Sequence, residues 1–153
     1  MNFLVVYDTK HGNTQKIAEE IASALGTDHQ VHLKSVVQAA PQDVADADAL
    51  VVGCPTHAWS PTPKTKEFLE SLAPDLCNGK HAAAFDTKFS LPLSGSAAKK
   101  IEKALAKLGF QITSPHFSAT VRGMKGPLND GQTEKAREFA AAILSGILDR
   151  AES

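Results

Sequence analysis

Short apolar runs rich in β-branched residues alternate along this chain with amphipathic stretches, an order that predicts βαβ units around a parallel sheet. Phe3-Leu4-Val5-Val6-Tyr7 is the first run. Residues 8–14 lead from it into a helix whose Ile17, Ala18, Ile21, Ala22 and Leu25 fall at i, i+1, i+4, i+5 and i+8, a single face to lay on a sheet. Gly26 is placed to stop that helix. In residues 30–36, Val31 and Leu33 alternate with His32 and Lys34, which suits an edge strand with one wet face. A short helix is expected after Pro41. Residues 49–54 are apolar on both faces and read as a central strand, and a helix carrying Phe68, Leu69 and Leu72 follows. His81-Ala82-Ala83-Ala84-Phe85 is the fourth strand by its place in the order, because three alanines alone favour a helix. Ala98, Ile101, Leu105 and Leu108 mark a helix ending at Gly109, residues 116–121 a fifth strand, and Ala136, Phe139, Ala140, Ile143, Leu144 and Ile147 a last helix.

Roughly five such units with right-handed crossovers give an α/β architecture, an open five-stranded parallel sheet with helices on both faces. The chain is expected to form one domain over residues 1–153. Ligands of such sheets collect at the carboxyl ends of the strands. That brings three loops together: residues 8–14, 54–62 and 86–95.

Composition narrows the partners. The 153 residues are 42% hydrophobic and 22% charged, ordinary for a globular domain. A formal charge of −1 supports neither a nucleic-acid footprint nor a strongly acidic shell, so any charged partner meets a local patch and no nucleic acid is expected. Cys54 and Cys77 make no disulfide framework and no metal-binding spacing, which favours a reducing compartment and no metal site. The first apolar run is too short for a signal peptide or a membrane span. A soluble, cytoplasmic protein is the expectation.

Thr9, Lys10, His11, Gly12, Asn13 and Thr14 join a hydrophobic strand to a helix. They supply hydroxyls, an amide, a glycine and the unpaired N–H groups of a helix start, which together cradle an anion such as a phosphomonoester. The plainer alternative is a capped helix with a glycine turn.

The fuller run Val5-Val6-Tyr7-Asp8-Thr9-x-x-Gly12-x-Thr14-x-x-x-Ala18-x-x-Ile21 resembles the signature of the flavodoxin family. Gly53-Cys54-Pro55-Thr56-His57-Ala58-Trp59 resembles that family's second flavin loop, and Phe85-Asp86-Thr87-Lys88 stands where the third would be. The resemblance implies the flavodoxin-like strand order 2-1-3-4-5, with FMN held noncovalently at the ends of the first and third strands, a placement for which flavodoxin is itself the standing example. It implies cofactor contacts from Thr9, Lys10, His11, Gly12, Asn13 and Thr14, from Pro55, Thr56, His57, Ala58 and Trp59, and from Asp86, Thr87, Lys88 and Phe89.

A flavin ring needs a flat apolar wall and polar groups at one edge. Trp59 is the candidate wall, against the alternative of a loop anchor. Family members commonly cover the other ring face with a tyrosine from the third loop, but the one tyrosine here is Tyr7, in the first strand. Phe89 substitutes for it or that face is open, with Leu91 and Leu93 weaker candidates. Lys88 either stabilises negative charge on the reduced ring or is a solvated lysine. His57 donates to the flavin or only shapes the turn. His11 replaces a hydroxyl residue found in many relatives. Cys54 reads as buried and inert.

A receiver domain needs a carboxylate after the third strand, and Gly53-Cys54-Pro55 offers none; a small tyrosine phosphatase needs a cysteine and an arginine in the first loop, and both are missing. GxxxxGK[ST] and GxGxxG are absent there too. The leading expectation is an FMN electron carrier docking transiently on a reductase and an acceptor, as a monomer or weak dimer. The alternatives are a small FMN-dependent reductase of quinone-like acceptors and a flavin-free interaction module. Family carriers usually surround the flavin with acids, whereas Lys10, Lys64, Lys66, Lys88, Arg122 and Lys125 lie near these loops, which points to a less negative potential or an unusual partner.

Overall fold

The computed structural model describes residues 1–57, 59–90 and 95–152. Strands β1 (Asn2–Tyr7), β2 (Gln30–Ser35), β3 (Ala49–Pro55), β4 (His81–Phe89), β5 (Gln111–Ile112) and β6 (Phe117–Val121) form one parallel sheet. Its order is β2-β1-β3-β4-β5, with β6 also paired to β4. Helices α1 (Asn13–Leu25), α2 (Pro41–Ala45), α3 (Pro63–Glu70), α4 (Pro74–Cys77), α5 (Ala97–Lys107) and α6 (Gln132–Glu152) cover the two faces.

The two-residue period of the strands divides the core. Phe3, Val5, Val51, Ala83 and Phe85 face α1 and α6, meeting Ile17, Ile21, Phe139 and Ile143. Leu4, Val6, Leu50, Val52 and Ala84 face the other side, meeting Phe68, Leu72, Ile101 and Leu105. This is why β1 and β3 read as unbroken apolar runs: every residue of 3–6 and 49–54 is buried on one face or the other. β2, with a covered partner on one side only, keeps the polar alternation of an edge.

Two features differ from the sequence expectation. β4 does not stop at Phe85 but runs to Phe89, so residues 86–89 are strand where a loop was expected. The reason is lateral: β3 pairs with β4 as far as Thr87, and on the other side β6 continues the ladder from Phe85 to Phe89. The fifth sheet position is also shared by two short strands. Ala82 pairs with Ile112 but Phe85 pairs with Phe117, so the outer chain spends two extra residues across that interval and its ladder breaks at residues 113–116. α6 packs directly on that break: a Cβ on Gly146 would lie 1.7 Å from the Thr113 carbonyl oxygen. Among the described residues no helix is long and apolar enough to cross a membrane.

Candidate functional site

β1, β3, β4 and β6 all end at the same edge of the sheet, and a cavity of about 340 Å³ opens there. Its wall brings together Thr9, Lys10, His11, Asn13, Thr14, Pro55, Thr56, His57, Thr87, Lys88 and Phe89 from the three expected loops. Val121 and Met124 complete it from a fourth segment, from which the sequence reading had placed only the charges of Arg122 and Lys125 near the loops.

At one end of the cavity stands the start of α1. Gly12 precedes the helix at φ +88°, a left-handed conformation that glycine adopts without penalty, and no side chain caps the exposed N–H groups. The Thr9 hydroxyl accepts from the Gly12 N–H at 2.9 Å, which leaves its own proton to give. Thr14 and Thr87 share a buried hydroxyl–hydroxyl bond of 2.8 Å. Whichever donates, one O–H of the pair remains available. A helix N-terminus with uncapped N–H groups, two spare hydroxyl protons and the ammonium of Lys10 nearby matches the needs of a phosphomonoester.

The apolar part of the wall comes from other segments. Pro55, Val121, Phe89 and Met124 contribute, the last two 38% and 77% exposed. This suits a planar ring larger than any side chain, with Thr56, His57 and Lys88 supplying polar groups alongside. The fourth segment is held over α1: the Asn13 amide donates to the Lys125 carbonyl at 3.2 Å, and a Cβ on Gly126 would lie 2.6 Å from that same amide. No local motif marked it. The signal available was topological, since the strand in the fifth position ends at this same edge.

Three expected residues stand elsewhere. Asp86 is fully buried, with Oδ2 accepting from the Thr56 hydroxyl at 2.9 Å, the Ser96 hydroxyl at 2.9 Å and the Ala98 N–H at 3.0 Å. It anchors the start of α5 behind the cavity and does not line it. Trp59 is also outside the wall. It is 60% exposed at φ +65° in a turn closed by reciprocal backbone bonds of 2.9 Å between His57 and Ser60, and it lies against Gly95. A non-glycine residue in that conformation costs about 1–3 kcal/mol. Gly12 shapes the first loop through its backbone. Ala58, Leu91 and Leu93 lie outside the described residues.

Cys54 sits beneath the site at the end of β3, buried. Burial pushes its thiol up to about 11, against the opposing pull of hydrogen bonds from the Thr62 backbone and the Thr65 hydroxyl. A thiol held so far from ionisation is a packing group. Asp8, at the end of β1, accepts from Thr62 at 2.6 Å, tying the first loop to the start of α3. Among the described residues no group of His, Cys, Asp or Glu is arranged to hold a metal ion.

Comparison with known proteins agrees with this geometry. The family model described as flavodoxin domain matches residues 4–116. A flavodoxin of Aquifex aeolicus is 43% identical over 91 residues, covering 55% of this chain and 48% of that one. The coenzyme F420H(2) oxidase of Methanocaldococcus jannaschii is 31% identical over 125 residues, 74% of this chain and 29% of that protein. The chain thus spans about half or less of the length of these curated relatives. Among solved structures, oxidised Flavodoxin 2 from Bacillus cereus superposes with a TM-score of 0.80 at 22% identity, covering 95% of this chain and 99% of the other, a likeness of fold.

Proposed function

The chain belongs to the flavodoxin family, and on that premise we propose that it is an electron-transfer flavoprotein that holds FMN noncovalently in the cavity at the carboxyl edge of its sheet. Proteins of this family bind FMN in that manner. The observation that carries the assignment is the uncapped start of α1, with Gly12 at φ +88° and the spare protons of Thr9 and the Thr14–Thr87 pair at a cavity also lined by Pro55, Phe89, Val121 and Met124. Thr9, Asn13 and Thr14 would hold the phosphate at the helix start, and Pro55, Phe89 and Met124 would contact the ring, with Thr56, His57 and Lys88 supplying polar groups to it. FMN supplies the redox chemistry; the protein binds it, excludes water from one side and sets the charge around it. No side chain breaks a covalent bond.

In this reading all 153 residues act as one domain, resident in the cytoplasm, a monomer or weak dimer that docks transiently on a reductase and an acceptor. The test is binding of FMN and of riboflavin, which lacks the phosphate, to the purified protein. Tight FMN binding with much weaker riboflavin binding supports the placement; equal affinity for both removes the phosphate site.

A second reading, a small FMN-dependent reductase, is favoured by the exposure of Phe89 and Met124 at the cavity mouth, which gives a small planar acceptor a way to the ring. Stepwise anaerobic reduction separates the two. Two resolved one-electron steps support the carrier. A single two-electron step with quinone turnover supports the reductase.

A further inference from the structure

Helices α1, α3 and α5 all start at the cavity edge of the sheet, and none has an acidic residue in its first turn. Their first turns hold Lys16, Lys64 and Lys66, and Lys99 and Lys100, all exposed. The unpaired N–H groups of a helix start carry partial positive charge, so an ammonium there is the unfavourable choice and a carboxylate the favourable one. α2 and α6 keep the rule, with Asp43 and Glu134 in their first turns, so the breach is confined to the three helices around the cavity, and such breaches concentrate at functional surfaces.

Of the acids at this edge, Asp86 is buried under three donors, Asp8 takes the Thr62 hydroxyl, exposed Asp130 lies 3.3 Å from Arg122, and Glu134 in the first turn of α6 lies 3.7 Å from Arg137. At the opposite edge the exposed side chains include Asp28 before β2, Asp46 and Asp48 before β3, Asp75 in α4 and Asp149 near the end of α6. A formal charge of −1 therefore conceals an excess of cations at the cavity end, while at the far end Lys80, Lys107 and Arg150 stand among the acids. Exposed Trp59 and Met124 lie within the cationic end, and the Lys100 ammonium donates to the Ser60 hydroxyl at 3.0 Å, which sets an α5 cation beside the Trp59 turn. Aromatic and methionine side chains set among cations make a protein-contact surface, whereas a polyanion track would be basic throughout on a basic chain.

We infer that the cavity end docks a protein of acidic surface, steered by the lysines at the starts of α1, α3 and α5 and contacted through Trp59 and Met124; that this protein is a redox partner rests on the electron-transfer reading. Complementary charge across such a face orients the encounter so that the cavity mouth meets the partner.

The test is NMR titration of the isotope-labelled, flavin-free protein with an acidic [2Fe–2S] ferredoxin as probe, alongside a basic cytochrome c, duplex DNA and vesicles of anionic lipid. Shifts gathered at the amides of Lys16, Trp59, Lys64, Lys100 and Met124, and weakened about tenfold between low and physiological salt, support the docking face. The double substitution Lys99→Glu and Lys100→Glu is expected to weaken the ferredoxin about tenfold while raising Tm, because carboxylates suit a helix start. Lys107→Glu, at the other end of α5, leaves the binding unchanged. A role confined to structure would move both readouts the same way. Tighter binding of cytochrome c, DNA or vesicles than of ferredoxin, or ferredoxin shifts at the Asp46 edge, overturns the inference. Failure of the protein to take up FMN would sink the electron-transfer reading and leave these titrations unaffected.

Discussion

The hydroxyls of Thr14 in α1 and Thr87 in β4 lie 2.8 Å apart in a buried contact, joining residues 73 positions apart at the point where the first and third loops meet. One bond thus fixes the start of α1 against the strand that carries Lys88 and Phe89.

Replacing either member by valine keeps the shape but leaves the other hydroxyl buried without its partner, which costs about 1–3 kcal/mol. We expect Thr14→Val to lower Tm and to weaken FMN more than riboflavin. The double variant Thr14→Val, Thr87→Val should be less destabilised than the sum of the singles, since no orphan remains. Chemical denaturation and flavin titration of the three variants decide it.

Asp86 gathers three donors on one oxygen, while its Oδ1 is buried with no hydrogen-bond partner among the described residues. Asp86→Asn must place its NH2 either against those donors or at the orphan position, where nothing accepts from it. The expected cost is about 1–3 kcal/mol, with loss of amide protection at the start of α5 in hydrogen exchange. Unchanged protection there would rule out the anchoring role.

The one tryptophan reports on its own turn. A Cβ on Gly95, itself at φ +70°, would lie 2.2 Å from Trp59 Cδ1. Gly95→Ala therefore displaces the indole and strains the backbone by about 1 kcal/mol. Emission should shift to the red and become more accessible to iodide quenching.

Cys54 links stability to alkaline pH. Its folded pKa is raised from an ordinary 9.0 to about 11, so the unfolded chain loses this proton first. The stabilisation from the buried neutral thiol is complete below pH 9 and falls as pH rises from there toward 11. The stability gap between the native protein and Cys54→Ala should narrow by about 1–2 kcal/mol between about pH 8 and pH 10.5. A constant gap would contradict it. Ellman's reagent should react slowly with Cys54 in the folded state.

Alternation of strands and helices was legible in the sequence because each element's burial is written in its own periodicity. Ile17, Ile21 and Leu25 line one helix face whatever lies opposite, and Leu50-Val51-Val52 reads as buried on both sides without knowledge of its neighbours. The place of the first loop on the cavity wall was legible for the same reason, since a strand, a glycine and a helix start within residues 7–14 set its geometry locally.

Beyond those local patterns the structure depended on contacts between distant segments. How far β4 runs depends on β6, which pairs with it through Phe89, and the alanines and polar residues of β4 carry no signal of that end. Once the strand continues, its two-residue period settles the chemistry: Asp86 turns toward α5 and becomes an anchor, while Thr87 turns toward α1 and reaches the cavity. Sequence alone could name both residues but not assign their faces. Val121 and Met124 entered the wall because the fifth sheet position ends at the same edge, and Trp59 left it because its turn packs on Gly95, thirty-six positions away. Periodicity specifies which residues an element buries; the lateral pairing of distant strands specifies where each element stops, and so which side chains meet at the site.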